Sequence, residues 1–152
     1  MIEETSLSKT PAELATALVK AFGRPDDIVA LLAEDATWWV TPSSPSEVMD
    51  SVSTGREKIR GNMQRVFTNL YNAESCSVDV HHAISEGNLG AVRITLNAQF
   101  PQGGNYSNEY SIWVETDGDE IIKVWEYVDA AHALAQMQAA NVDIAPAASA
   151  QG

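Results

Sequence analysis

The chain has 152 residues, three histidines, one cysteine and a formal net charge of −12. That length suits a single domain with a real core, and the negative charge repels phosphate backbones and anionic lipid, which argues against nucleic acid or a membrane surface as partner. The lone Cys76 excludes an intramolecular disulfide, and the histidines show no structural-zinc spacing, so no metal is expected.

Residues 1–9 are polar and acidic and lack a cationic stretch followed by an apolar run, so they read as a flexible arm and not as a secretion signal. No apolar run reaches about 20 residues, and the expected location is cytoplasmic. Thr10-Pro11-Ala12-Glu13 joins a capping box to a proline at the first helical position, with Leu14, Leu18 and Phe22 following at helical spacing before Gly23. A second helix should start at Asp26, carry Ile28, Val29, Leu31 and Leu32, and end near Asp35. Ala36–Thr41 (ATWWVT) reads as a strand stopped by Pro42, and SSPSEVMDSVS as a long loop. Thr54 and Glu57 suggest a second capping box, opening a helix with Ile59, Met63, Val66, Phe67 and Leu70 on one face and Arg56, Lys58, Arg60 and Arg65 mostly off it.

From Glu74 the helical period vanishes. Three strands are expected at Ser77–Glu86, Leu89–Phe100 and Asn108–Thr116, then a closing strand before Asp129, with turns at Glu86-Gly87-Asn88, Pro101–Asn105 and Asp117-Gly118-Asp119. Asp129 reads as the cap of a short alanine-rich terminal helix. The predicted organisation is one domain over residues 10–140, with a disordered tail at 141–152.

On the closing strand, Ile122, Val124, Glu126 and Val128 share one parity, so Glu126 is the one ionisable group on an aliphatic row. Burial there would raise its carboxyl toward the range where proton transfer at neutral pH is efficient. A structural pairing with Arg93 would account for both residues equally well. His81 and His82 are adjacent, so strict alternation lets only one face inward, and His82 shares parity with Val78, Val80 and Ile84.

The stretches LLAEDATWWV, GREKIRGNMQRVF, ISEGNLGAVRI and DGDEIIKVWEYVD, in this order, resemble the SnoaL-like branch of the nuclear-transport-factor-2-like superfamily, whose relatives include ketosteroid isomerases, polyketide cyclases and limonene-epoxide hydrolases. The resemblance spans about residues 10–137. It implies an α+β cone, a curved antiparallel sheet of four to six strands wrapped around the N-terminal helices over a deep apolar pocket, and a homodimer through the outer sheet face. Against the epoxide hydrolases, the catalytic Arg-x-Asp falls on Arg93-Ile94-Thr95, the second catalytic aspartate on Glu126, and the water-holding Tyr and Asn on Trp38 and Val40. One acid and both water ligands are therefore missing, which counts against epoxide hydrolysis. The same overlay implies that Arg93, Thr95, Asn97 and Gln99 face the pocket, followed on the next strand by Asn108, Tyr110, Ile112 and Val114.

The resulting expectation is a cofactor-independent acid–base enzyme (lyase, isomerase or cyclase) acting on a hydrophobic, aromatic small molecule. Glu126, Arg93, His82 and Tyr110 would be catalytic, while Trp38, Val40, Thr95, Asn97, Asn108, Ile112 and Val124 would bind substrate. The alternative is a non-catalytic binding or interaction module of the same fold. Direct Arg93–Glu126 contact without a pocket histidine would favour that alternative.

Overall fold

The computed structural model describes residues 8–42 and 50–142. The start of the expected arm, most of the loop after Pro42 and nearly all of the expected tail lie outside the described residues.

Helix α1 (Pro11–Lys20) begins as its sequence dictates: Thr10 Oγ1 accepts from the Glu13 amide, and the Glu13 carboxylate accepts from the Thr10 amide. It buries Leu14, Ala15, Leu18 and Val19. Helix α2 (Pro25–Val29) is shorter than expected, because strand β1 (Leu32–Val40) already starts at Leu32. A short β2 (Val52–Thr54) follows. Thr54 belongs to this strand and caps nothing; Gly55, at φ 92°, stands before α3 (Arg56–Arg65) without a side-chain cap. A π-helical turn, Val66–Leu70, extends α3 and is closed by Tyr71 N–H donating to the Val66 carbonyl at 3.2 Å.

The rest is a meander: β3 (Asn72–Glu86), β4 (Leu89–Gln99), β5 (Asn105–Asp117) and β6 (Glu120–Val128), then α4 (Ala130–Ala139). Asp129 caps α4 by accepting from His132 N–H at 3.1 Å. The six strands form one sheet in the order β2-β1-β6-β5-β4-β3. It is mixed, because β1 runs parallel to β6 while all other neighbours are antiparallel. Bulges at Asn72/Ser77 and Val80/His82 in the β3–β4 pairing and at Glu115/Thr116 in the β5–β6 pairing bend it. The α+β cone expected from sequence is the fold observed. Its core lies between the inner sheet face and helices α1 to α4.

The faces of β4 correct the overlay. Val92, Ile94, Leu96 and Ala98 are the buried set, while Arg93 is exposed and Thr95 and Asn97 lie with it on the outer face. Opposed residues share a face, and the observed register sets Ile94 against Tyr110 and Arg93 against Ser111. That register is fixed by the turn between β4 and β5, and a one-residue slip exchanges the faces of a whole strand. The histidine argument fails for a related reason. The bulge leaves His81 without a pairing partner, so Val80 faces inward with Ile94 while His82 turns outward with Arg93.

Candidate active site

One cavity of about 80 Å³ opens between the inner sheet face and the helices. That is several times the roughly 10–15 Å³ that a single water needs, so the cavity has room for a small molecule. Trp38 and Val40 of β1, Leu96 of β4 and Val128 of β6 form its sheet wall. Helix α3 and the π-helical turn contribute Met63, Val66, Phe67 and Leu70, and the turn after α1 contributes Phe22, whose ring lies 6.4 Å from that of Phe67. Ala133 and Met137 of α4 close the remaining side.

Glu126 is the one acid in this lining. It stands beside Val40 in the parallel β1–β6 register, and Trp38 Nε1 donates to its Oε1 at 2.8 Å. Thr41 holds the strand there. Its N–H and hydroxyl both donate to the Glu126 carbonyl, at 3.1 and 3.2 Å, and its hydroxyl accepts from Val128 N–H at 3.2 Å. Part of the residue's surface remains accessible because it faces the cavity, but protein surrounds the carboxyl. Desolvation pushes it up from 4.5 to about 7, against the opposing pull of the Trp38 hydrogen bond.

Three phenols share the cavity. Tyr106 Oη and Tyr110 Oη lie 2.8 Å apart, and Tyr71 stacks near Tyr106 with ring centroids 4.9 Å apart. Burial raises all three phenols, those of Tyr71 and Tyr110 strongly, and the nearby Glu126 charge pushes in the same direction. They stay protonated and serve as hydrogen-bond donors. Asn108 Nδ2 donates to Tyr106 Oη at 3.0 Å.

Of the sequence-predicted residues, Glu126, Tyr110, Trp38 and Val40 meet at this cavity. Asn108, Ile112 and Val124 are buried on the same sheet face but do not line it. Arg93, His82, Thr95 and Asn97 belong to the outer face: Arg93 pairs with Glu109 at 3.5 Å, and Thr95 Oγ1 lies 2.7 Å from His81 Nε2. The proposed Arg93–Glu126 pair does not form, and no histidine lines the cavity. Sequence reasoning missed Tyr71 and Tyr106. Tyr106 was legible as the residue four before Tyr110 on one strand face, but the expected strand began at Asn108, after the glycine-rich turn. Burial raises the Cys76 thiol to about 11, which keeps it protonated and unreactive at neutral pH. Among the described residues, no cluster of His, Cys, Asp and Glu could hold a metal ion, and no helix is long and apolar enough to cross a membrane.

A SnoaL-like domain matches residues 15–124. The chain belongs to the SnoaL-like family. No curated protein matches it. Among solved structures, this SnoaL-like chain is similar to a hypothetical protein of ketosteroid isomerase-like fold from Catenulispora acidiphila DSM 44928, determined in complex with trimethylamine: 22% identity, 91% of this chain and 100% of that one, TM-score 0.71. It is also similar to IdmH from Streptomyces antibioticus, described as a candidate polyketide cyclase, at 18% identity over 86% of this chain and 99% of that one, TM-score 0.68. TerC, co-crystallised with polyporic acid, matches at 14% identity over 85% and 99% of the two chains, TM-score 0.72. At these identities the likeness is one of fold.

Proposed function

We propose that this SnoaL-like cavity moves a proton next to the carbonyl group of a small apolar ring, with no cofactor, as the opening step of an isomerase, cyclase or lyase reaction. The observation that carries the reading is Glu126: a carboxyl raised to about 7, held by Trp38 in an apolar cavity beside hydrogen-bonded phenols. Ionised Glu126 takes the α proton, the C–H electrons form a carbon–carbon double bond, and the carbonyl π electrons move to oxygen. A phenol O–H donates to that oxygen. Glu126 then either trades that proton for one from solvent and delivers it to the same carbon, which is an exchange, or delivers a proton to another carbon of a conjugated enolate, which is an isomerisation.

Cyclohexanone, with seven heavy atoms, is a probe matched to the cavity. In deuterated water the protein should catalyse exchange of its α hydrogens, followed by proton NMR. The rate should rise with pH to a plateau, with a midpoint near 7 set by Glu126. Exchange no faster than buffer across that range would remove the reading.

We further propose a homodimer through the outer sheet face. Val52, Trp39, Trp125, Trp113, Ala91 and Ile84 are successive cross-strand neighbours, making one apolar row across all six strands. Tyr127 packs on Trp39 at 5.0 Å, and Val52, Ile84, Trp113 and Tyr127 are exposed. The row is flanked by both charge signs, Lys123 opposite Glu115 and Arg93 with Glu109. A second copy turned by a two-fold axis therefore meets apolar surface and opposite charge. Sedimentation at micromolar concentration should give a dimer, and Trp113→Glu a monomer that keeps the exchange activity. A monomeric parent protein would refute the assembly.

A further inference from the structure

Asn108 was expected to touch substrate, but it stands behind the cavity wall, 3% exposed, between Tyr106 and Tyr110 on the inner face of β5. Its side chain has three partners. Oδ1 accepts from Glu109 N–H at 2.8 Å, and Nδ2 donates to the Asp129 carbonyl at 2.9 Å and to Tyr106 Oη at 3.0 Å. The two backbone groups decide which way the amide points. Flipping it would set its oxygen against the Asp129 carbonyl and its NH₂ against the Glu109 N–H, two repulsive contacts in a buried place. Nδ2 therefore faces the phenol, and Tyr106 Oη must accept there. The Tyr106 hydrogen points elsewhere, and Tyr110 Oη, 2.8 Å away, is placed to take it, with Tyr71 the other phenol in reach.

We propose that Asn108 is a positioning residue that gives the phenols a direction: its amide starts a one-way relay, Asn108 to Tyr106 to Tyr110, whose last hydrogen is presented to the substrate oxygen. The inference rests on the proton-transfer reading of the same cavity. Each donor in such a chain polarises the next, so the terminal O–H is a stronger donor than an isolated phenol. Tyr71 is the neighbouring phenol in the cluster, and a substrate oxygen competes with it for that hydrogen. The Asn108 hydrogen bond also lowers the Tyr106 phenol against the larger effect of burial. The second amide hydrogen fastens the relay to the residue that caps α4, the helix that closes the cavity through Ala133 and Met137. The direction of the phenols and the seating of that helix thus depend on one side chain.

The test uses the full chain labelled with carbon-13 at tyrosine Cζ, whose NMR shift reports hydrogen bonding and ionisation, with Tyr106→Phe and Tyr110→Phe supplying assignments. Asn108→Asp keeps the acceptor for Glu109 N–H but, ionised at alkaline pH, cannot donate to Tyr106, so Tyr106 must turn its hydrogen toward the carboxylate. The Tyr106 and Tyr110 signals should both move, the Tyr106 ionisation constant should fall tenfold or more, and exposed Tyr127 should stay unchanged as the internal reference. In cyclohexanone exchange, kcat should drop about tenfold to a hundredfold, with KM within about twofold. Asn108→Leu, which cannot donate at any pH, makes the same predictions and serves if the aspartate variant does not fold. A folded variant with Tyr106 and Tyr110 unmoved, or with kcat intact, overturns the proposal. A Glu126→Gln protein that still exchanges would instead overturn the base assignment, and it leaves the tyrosine signals free to report on the relay.

Discussion

Glu126→Gln is expected to cost about 10²–10⁴-fold in the exchange rate while making the protein more stable above neutral pH. The first effect follows from removing the one group in the cavity that can accept a proton near pH 7; Gln keeps the volume and the acceptor for Trp38 Nε1 but has no basic oxygen. The second follows from linkage. The carboxyl titrates at about 7 in the folded chain against 4.5 for an ordinary glutamate, so between those values the folded state holds a proton that the unfolded state releases. Below that window the group is protonated in both states and costs nothing. As pH rises through it, folding stability falls, by at most about 3 kcal/mol at about 1.4 kcal/mol per pH unit, and then levels off. Gln has no proton to lose. Its denaturation free energy should match the parent protein near pH 4, diverge through the window, and exceed it by about 2–3 kcal/mol near pH 8. Equal pH slopes for the two proteins would show that the carboxyl is not held in a desolvated state. Loss of activity with gain of stability is the signature of a group kept in place for chemistry, and a purely structural acid would lose on both measures.

Much of this site was open to reading because strand parity is a local property. Glu126 on an aliphatic row, Trp38 with Val40, and Tyr110 with Asn108 on one face all follow from a period of two. What misled was every inference that crossed a bulge or a turn. Arg93 and His82 were each one residue out of phase: the β4–β5 register and the His81 bulge decide their faces, and neither has a strong mark in the chain. Had the simpler rule been applied to β4, with the apolar side inward, Arg93 would have been placed correctly without any relative. The π-helical turn was equally hidden. Val66, Phe67 and Leu70 fit an ordinary helical stripe, and only the i to i+5 closure by Tyr71 shows the extra residue that points this wall and Tyr71 toward the cavity.

Gly90→Ala should be the most damaging single-methyl change in the sheet, costing about 3 kcal/mol. A Cβ there would stand 2.5 Å from the carbonyl carbon and oxygen of Pro11 and 2.8 Å from its Cβ. Neither side has room to yield. Gly90 lies in β4 between Ser85 of β3 and Val114 of β5. Pro11 begins α1, which is tied to the same sheet by Ala12 N–H donating to Ser85 Oγ at 2.7 Å and Lys9 N–H donating to Asp119 Oδ1 at 3.1 Å. Relieving the contact means lifting the first turn of α1 and loosening the burial of Leu14 and Ala15. The same helix delivers Phe22 to the cavity, so the variant should also widen the site and raise KM for cyclohexanone. Gly61→Ala is the control. It lies inside α3 with nothing within 4 Å of the added carbon, and there the exchange of glycine for the best helix former should stabilise by about 0.5–1 kcal/mol. Thermal or denaturant melts of the two variants should therefore move in opposite directions. If Gly90→Ala melts with the parent protein, α1 does not rest on β4 as closely as described, and the cavity wall that depends on it is misplaced.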